Sequence, residues 1–329
     1  MQVSRKPSRQ TEIVAQILMV VVTCVISLFA AEIVLRLKNS TMDNYDIEMW
    51  RYSSELKQVS PDPALGHIHR PNREAVLQNV NIRIDENGLR GASAADVSNF
   101  ARRILVLGSS ITLGWGVEEG DTMTSQLESS LRDAGEDVRV LNAGIGNYNS
   151  PRYVKRFMDR LTQLKPTDIV VHYFLRDAET LEPGGGNFLL RNSQLAVTVW
   201  IAVNRVFGSS GHGSLVDHYR NVYALDAPGR QAMEVALRQL AEYGRENEIR
   251  LYLAMVPDVH NLEDYQFGFV HEELENLSRE LGYSYVDLKP AFGNLSPEDV
   301  WAMPGDPHPN ALGHKLMADA ILPVLLLDQ

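Results

Sequence analysis

The hydrophobic pattern divides the chain into three stretches. From Ile13 to Leu35 the residues are apolar except for Gln16, Thr23, Ser27 and Glu32, and a helix of that length crosses the roughly 30 Å hydrocarbon core of a bilayer. Residues 37 to about 100 are polar, carry Pro61, Pro63 and Pro71, and sustain no period. They read as a tether and lead-in, with Asn87-Gly88 marking a local turn. From residue 103 short β-rich runs ending in polar loops alternate with segments of helical spacing, the pattern of parallel βα units.

The predicted strands are Ile104–Leu107, Val138–Leu141, Asp168–Phe174, Ile249–Val256 and Tyr283–Asp287. The predicted helices cover roughly 122–133, 152–164, 229–246, 264–281 and 310–326, as in the spacing of Met233, Ala236, Leu237, Leu240 and Tyr243. The expected fold is α/β, a three-layer sandwich around a five-stranded parallel sheet, preceded by a transmembrane helix. The boundaries are a basic cytoplasmic tail over 1–12, a signal anchor over 13–36, the tether over 37–100 and the α/β domain over 101–329. Residues 183–215 break the rhythm as an insertion. There Gly184-Gly185-Gly186 leads into Leu195–Val203, too short to span and therefore either a buried helix or an amphipathic lid.

Charge and composition narrow the partners. The 329 residues are 44% hydrophobic, enough to fill one α/β core, and the net charge of -11 without a basic run argues against a nucleic-acid partner. The single cysteine, Cys24, lies inside the apolar stretch, so no disulfide framework or cysteine zinc site is expected. Arg5, Lys6 and Arg9 precede that stretch and Arg36 and Lys38 follow it, a bias that leaves the N-terminus in the cytoplasm and the bulk of the chain on the other side of the membrane. A cleaved signal peptide is the rival reading, but no small-x-small site closes the stretch. Glu32 fits near the outer interface or paired with another group.

Sites in open α/β sheets gather at the carboxyl ends of strands. The first predicted strand ends in Gly108-Ser109-Ser110-Ile111-Thr112-Leu113-Gly114, which seats Ser110 where a strand turns into a helix. The spacing is neither G-x-S-x-G nor a dinucleotide fingerprint, and alone it reads as an ordinary helix cap. A partner stands in Gly305-Asp306-Pro307-His308-Pro309-Asn310. Asp306 and His308 each precede proline, which favours extended geometry and places residues two apart on one side. A serine hydroxyl needs a base such as His308, and the imidazole needs a carboxylate such as Asp306 to fix its tautomer.

With these blocks in order, the chain resembles the SGNH (GDSL-like) hydrolases, of the bacterial membrane-anchored type, across about residues 100–325. Ser110 matches the family's nucleophile, with Ser109 at the usual aspartate position. Asn142-Ala143-Gly144-Ile145-Gly146-Asn147-Tyr148-Asn149 is similar to the second block, with Asn147 where the oxyanion-hole glycine is usual. Asparagine tolerates left-handed backbone, so its N–H can still be donated. Phe174-Leu175-Arg176-Asp177 resembles the G-x-N-D block, with Arg176 in place of asparagine. His308 matches the last block, and Asp306 follows the D-x-H variant of some polysaccharide acetylation proteins. Glu86–Gly91 and Asp287–Phe292 also look like segments of membrane-anchored members.

The resemblance implies a flavodoxin-like SGNH fold and a triad of Ser110, Asp306 and His308. It further implies an oxyanion hole from Ser110, Asn147 and Arg176, and a substrate-binding role for Asp177. The implied activity is that of a serine esterase acting on a small acyl ester, as a free molecule or as an O-acetyl group of an envelope or extracellular polysaccharide. The same residues also serve acyl transfer to a sugar, and the departures at Ser109, Asn147 and Arg176 leave open a glycan-binding or assembly module. No cofactor and no metal are expected: His67 and His69 lie in the tether, His172 in a strand, His314 on the last helix, and Asp258 with His260 read as a surface loop pair.

Overall fold

In this computed structural model residues 9–181, 188–207, 214–304 and 308–327 are described. In chain order the elements begin with helices α1 (Arg9–Lys38) and α2 (Tyr45–Glu55) and strands β1 (Lys57–Val59), β2 (His67–His69), β3 (Arg73–Leu77), β4 (Val80–Ile84) and β5 (Arg102–Gly108). Next come α3 (Ser110–Leu113), α4 (Met123–Asp133), β6 (Val138–Gly144), α5 (Ser150–Arg156), β7 (Asp168–Tyr173), α6 (Phe188–Asn192) and α7 (Gln194–Phe207). The last are α8 (Leu215–Val222), α9 (Pro228–Glu246), β8 (Arg250–Met255), α10 (Gly268–Leu281), β9 (Ser284–Asp287), α11 (Lys289–Phe292), α12 (Pro297–Val300) and α13 (Ala311–Leu327). They fall into two compact units, one of residues 1–48 and 186–211, the other of 49–185 and 212–329.

In the larger unit the five predicted strands form one parallel sheet in the order β6-β5-β7-β8-β9. Alternation along a strand sends successive side chains to opposite faces. Leu105 and Leu107 of β5 therefore pack with Tyr153 and Val154 of α5, Leu237 and Leu240 of α9 and Leu274 of α10. Ile104 and Val106 face Leu127 and Leu131 of α4 and Met317, Ile321 and Leu325 of α13. Both faces are covered, as the continuous apolar strands require, and this is the three-layer fold expected. The helix expected over 152–164 starts at Ser150 and passes at Phe157 into a π-turn and then a short 3-10 turn.

The tether expected over 37–100 is, from Met49 onward, folded chain of the larger unit. Strands β1 and β2 pair antiparallel, as do β3 and β4, and Leu56, Leu65, Leu77 and Ile82 are fully buried. Bridges from Ile84 to Arg90 and from Arg90 to Asn142 tie the second hairpin to β6. Hydropathy misses this because several of the buried residues are polar: Lys57, His67, His69 and Arg90 are all enclosed. Each makes hydrogen bonds within the fold in place of solvent.

In the smaller unit α1 is exposed along its apolar length and is long and apolar enough to cross a membrane. Glu32 finds its partners within its own chain. Its carboxylate accepts from Arg36 Nε at 2.7 Å, Ser193 Oγ at 2.9 Å and the N–H groups of Gln194 and Leu195 at 3.0 and 2.9 Å. A carboxylate there caps the otherwise unpaired first turn of α7. The Leu195–Val203 run is indeed helical, but it is not a buried helix: Val197 is enclosed whereas Val199, Trp200 and Val203 are exposed. Residues 183–187 and 208–213 of the expected insertion, with its glycine triplet, lie outside the described residues.

Asp168 opens the central strand β7 with no solvent exposure. It accepts from Arg102 Nη2 at 2.9 Å, Arg250 Nε at 2.9 Å and Thr167 Oγ1 at 2.6 Å. Removing one partner of such a cluster strands the buried charge of Arg102. We expect Asp168→Ala to lower unfolding free energy by about 3–5 kcal/mol, read as a fall in the denaturant midpoint.

Candidate active site

Strand β5 ends at Gly108, and only a residue without a Cβ fits there, because a Cβ would stand 2.0 Å from Thr112 Oγ1 and 2.8 Å from the His172 carbonyl. The tight turn makes Ser109 the residue that precedes the helix and Ser110 the first residue of α3. Ser110 is therefore not the cap that a simple reading assigns it, and its hydroxyl is free for another partner. That partner is His308, whose Nε2 lies 2.8 Å from Ser110 Oγ. With Nε2 unprotonated the serine O–H donates to it, the arrangement required for proton removal.

His308 is buried and held through its backbone. Its carbonyl accepts from Ala302 N at 2.8 Å, Trp301 bridges Pro309, and Asn310 N donates to Val300 O at 2.7 Å. Asn310 Oδ1 then accepts from Gly313 N at 3.1 Å, which caps α13. Asp306, expected to orient the imidazole, lies outside the described residues.

The second expected block follows β6. Because β5 and β6 pair in register, Gly108 opposite Gly144, the turns after the two strands lie side by side. Asn147 adopts φ 63°, the left-handed conformation that asparagine tolerates. It is exposed, and its N–H, like that of Ser110, donates to no acceptor among the described residues. The third block forms a 3-10 turn, Leu175–Ala178, after β7. Arg176 is half-exposed, with Nε 3.1 Å from Glu179 Oε2. Glu179 also meets His218 Nε2 at 3.2 Å.

Asp177 corrects an expectation. Its side chain has no solvent exposure, so it forms part of the wall behind the loop and offers no surface to a substrate. Burial pushes its carboxyl well above the usual carboxylate range, outweighing the opposing effect of the Tyr153 hydroxyl. The motif places Asp177 beside the site in sequence, but the 3-10 turn rotates it inward.

Beneath the serine, Thr112 Oγ1 contacts His172 Nδ1 at 3.0 Å, and His314 Nδ1 accepts from Met123 N at 3.0 Å. Both rings are buried and kept neutral, that of His172 with its pKa lowered to about 3 by desolvation. Asp258 and His260 form the expected pair, Nδ1 to Oδ1 at 2.8 Å, and no group of three ligating side chains able to hold a metal occurs among the described residues. His67 and His69, assigned to a tether by sequence, are enclosed in β2.

The sequence profile of the GDSL-like Lipase/Acylhydrolase family matches residues 106–316, well over half of the chain. The chain belongs to that family. It is accordingly a hydrolase of ester bonds with the SGNH fold. No curated protein matches the chain. Among solved structures it is similar to LAE5, an alpha/beta hydrolase enzyme from the metagenome of Lake Arreo, Spain, at 16% identity and TM-score 0.45 over 68% of this chain and 94% of that one. It is also similar to a catalytic mutant of Axe2, an acetylxylan esterase from Geobacillus stearothermophilus, at 18% identity and TM-score 0.45 over 68% and 94%. A third is CEX, a two-domain esterase active on acetylated mannans, at 18% identity and TM-score 0.44 over 69% and 48%. Within the family's pattern, the serine and histidine of this chain meet and the aspartate position of the first block is a buried serine, Ser109.

Sequence reasoning overlooked Arg90. Its Nη1 donates to the carbonyls of Leu113 and Gly114 at 2.5 Å each and its Nη2 to Val117 O, fixing the turn that ends α3. Its place in the Glu86–Gly91 segment drew notice, but nothing local says which loop it reaches.

Two outcomes test this geometry. Asn147→Gly retains fluorophosphonate labelling of the serine, whereas Asn147→Val, β-branched at positive φ, loses stability by about 1–2 kcal/mol in thermal denaturation. Asp177→Asn raises the melting temperature at pH 7–8 and changes it little near pH 4. The sign follows because a carboxyl raised in the folded state stabilises the fold only while protonated, a contribution lost as pH rises above the unfolded value.

Proposed function

We propose that the protein is a membrane-anchored serine esterase that removes a small acyl group, an O-acetyl group on an envelope or extracellular polysaccharide, in the periplasm. The 2.8 Å contact of Ser110 Oγ with His308 Nε2 carries the reading. His308 takes the proton as Ser110 attacks the ester carbonyl. The N–H groups of Ser110 and Asn147 receive the developing oxyanion, with Arg176 on the third loop a further donor. The alcohol leaves with the proton from His308, and water attacks the acyl-serine by the reverse path. Asp306, two residues before the base, is assigned to hold the imidazole tautomer. A sugar hydroxyl in place of water gives an acyltransferase with the same residues.

The anchor reading rests on the apolar length of α1, and the periplasmic side on the excess of basic residues before it. The family and the exported position together favour a polymer-borne ester over a cytoplasmic one. A lone serine next to a histidine in a binding module stays inert to phosphonates, so labelling separates catalysis from glycan holding.

The test is acetate release from a chromogenic acetyl ester by the full-length protein in detergent. We expect Ser110→Ala to lose at least about 10³-fold in kcat/KM together with phosphonate labelling. An unchanged rate in that variant would refute the serine mechanism. Arg176→Asn lowers kcat if the guanidinium receives the oxyanion and leaves it unchanged if Glu179 holds it away.

A further inference from the structure

The residues around Gly146 come from the segment that hydropathy reads as a tether. Gly146 N donates to Tyr52 Oη at 2.9 Å. Tyr52 Oη in turn lies 2.7 Å from His69 Nε2, and His69 Nδ1 lies 2.9 Å from the Gly88 carbonyl. A carbonyl accepts only, so His69 carries its proton on Nδ1, Nε2 accepts, and Tyr52 donates to it. On the other side, the Gly146 carbonyl lies 2.9 Å from His67 Nε2 and 3.4 Å from Lys57 Nζ. The same logic puts the His67 proton on Nε2. Tyr148 Oη donates to the His67 carbonyl at 2.5 Å, which locks the ring's strand to the loop it grips. A Cβ on residue 146 would stand 2.6 Å from the Tyr52 ring, so the grip closes only on glycine.

The Gly146 carbonyl and the Asn147 N–H belong to one peptide group. In a trans peptide they point in opposite directions within one plane, so fixing the carbonyl fixes the N–H. Donors on the carbonyl also polarise the group and strengthen the N–H as a donor. That N–H is the one without an acceptor among the described residues, beside the turn that carries Ser110.

We propose that Lys57 and His67 are positioning residues for the acyl-transfer site, gripping the Gly146 carbonyl so that the N–H of the same peptide group is aimed and polarised toward the oxyanion. The proposal rests on the esterase reading above and adds the N-terminal hairpin to its machinery. Lys57 brings a positive charge to the rear of the peptide. Its surroundings are Tyr52 from α2, whose ring centroid lies 4.6 Å from Nζ, His67 and His69 from β2, and Arg152 from α5; Tyr148 packs on His67 and Arg156 acts on His69. No carboxylate acts on it among the described residues. Burial, helped by Arg152, lowers its pKa to about 7. The charge is present below that pH and lost above it, while His308 must be neutral to act as base.

The expected kcat profile of the full-length protein on a chromogenic acetyl ester therefore falls on its alkaline side near pH 7, well before any hydroxide-dependent rise. Lys57→Met removes the charge at similar volume. We expect kcat to drop about tenfold with KM unchanged, and the alkaline fall to vanish, a change that mere loosening of the fold does not produce. An unchanged kcat and profile in that variant overturns the proposal. If the variant does not fold, the wild-type profile decides alone: a flat kcat from pH 6.5 to pH 9 overturns it. Ser110→Ala, measured alongside, separates the two readings. Serine-dependent activity without any Lys57 effect refutes the grip only, and absence of serine-dependent activity removes both.

Discussion

The in-register pairing of β5 with β6 is the constraint on which the site depends. With Gly108 opposite Gly144, two strands end level, and their following turns are forced alongside one another. One turn carries Ser110 and the other Asn147. The alternation of the same strands sets which helices cover which face, and so brings α13 and its preceding loop, with His308, to the nucleophile's side of the sheet. Apolar burial on both faces of the sheet and backbone hydrogen bonds around His308 and the end of α3 together hold this arrangement.

A second theme is electrostatic. The chain carries a net charge of -11, yet several buried cations around the site donate to backbone carbonyls. Arg90 meets Leu113, Gly114 and Val117, Arg156 meets Ala143 and Gly88, and Lys57 meets Gly146. Carbonyl dipoles satisfy the donors without cancelling the charge. Burial accordingly lowers the pKa of Arg90 to about 10. A positive interior beside the N–H groups of Ser110 and Asn147, which donate to no acceptor among the described residues, suits a reaction in which negative charge develops on oxygen.

Much of this was legible in the sequence, for identifiable reasons. The strands were found because parallel strands buried on both faces leave unbroken apolar runs, as in Ile104–Leu107. Ser110 and His308 stand out as a strand-to-helix serine and a histidine between prolines in blocks that resemble the family's, and the fold brings their side chains together. Asp177 was misread because a motif fixes proximity in sequence and not the direction of a side chain. The segment around Lys57, His67 and Arg90 was misread because its stability lies in polar groups that find partners far along the chain, and periodicity registers only apolar ones. Glu32 is the same case in small: its partners lie about 160 positions away, at Ser193 to Leu195.

The contact between Ser110 and His308 closes a separation of 198 residues. Pairings so distant carry a loop-closure cost that short-range contacts avoid, and they form late in folding. The serine therefore meets its histidine only when α13 docks and delivers the loop before it. Conversely, a local detachment of that final helix silences the chemistry while the rest of the sheet stands. The activity proposed above thus reports completion of the fold.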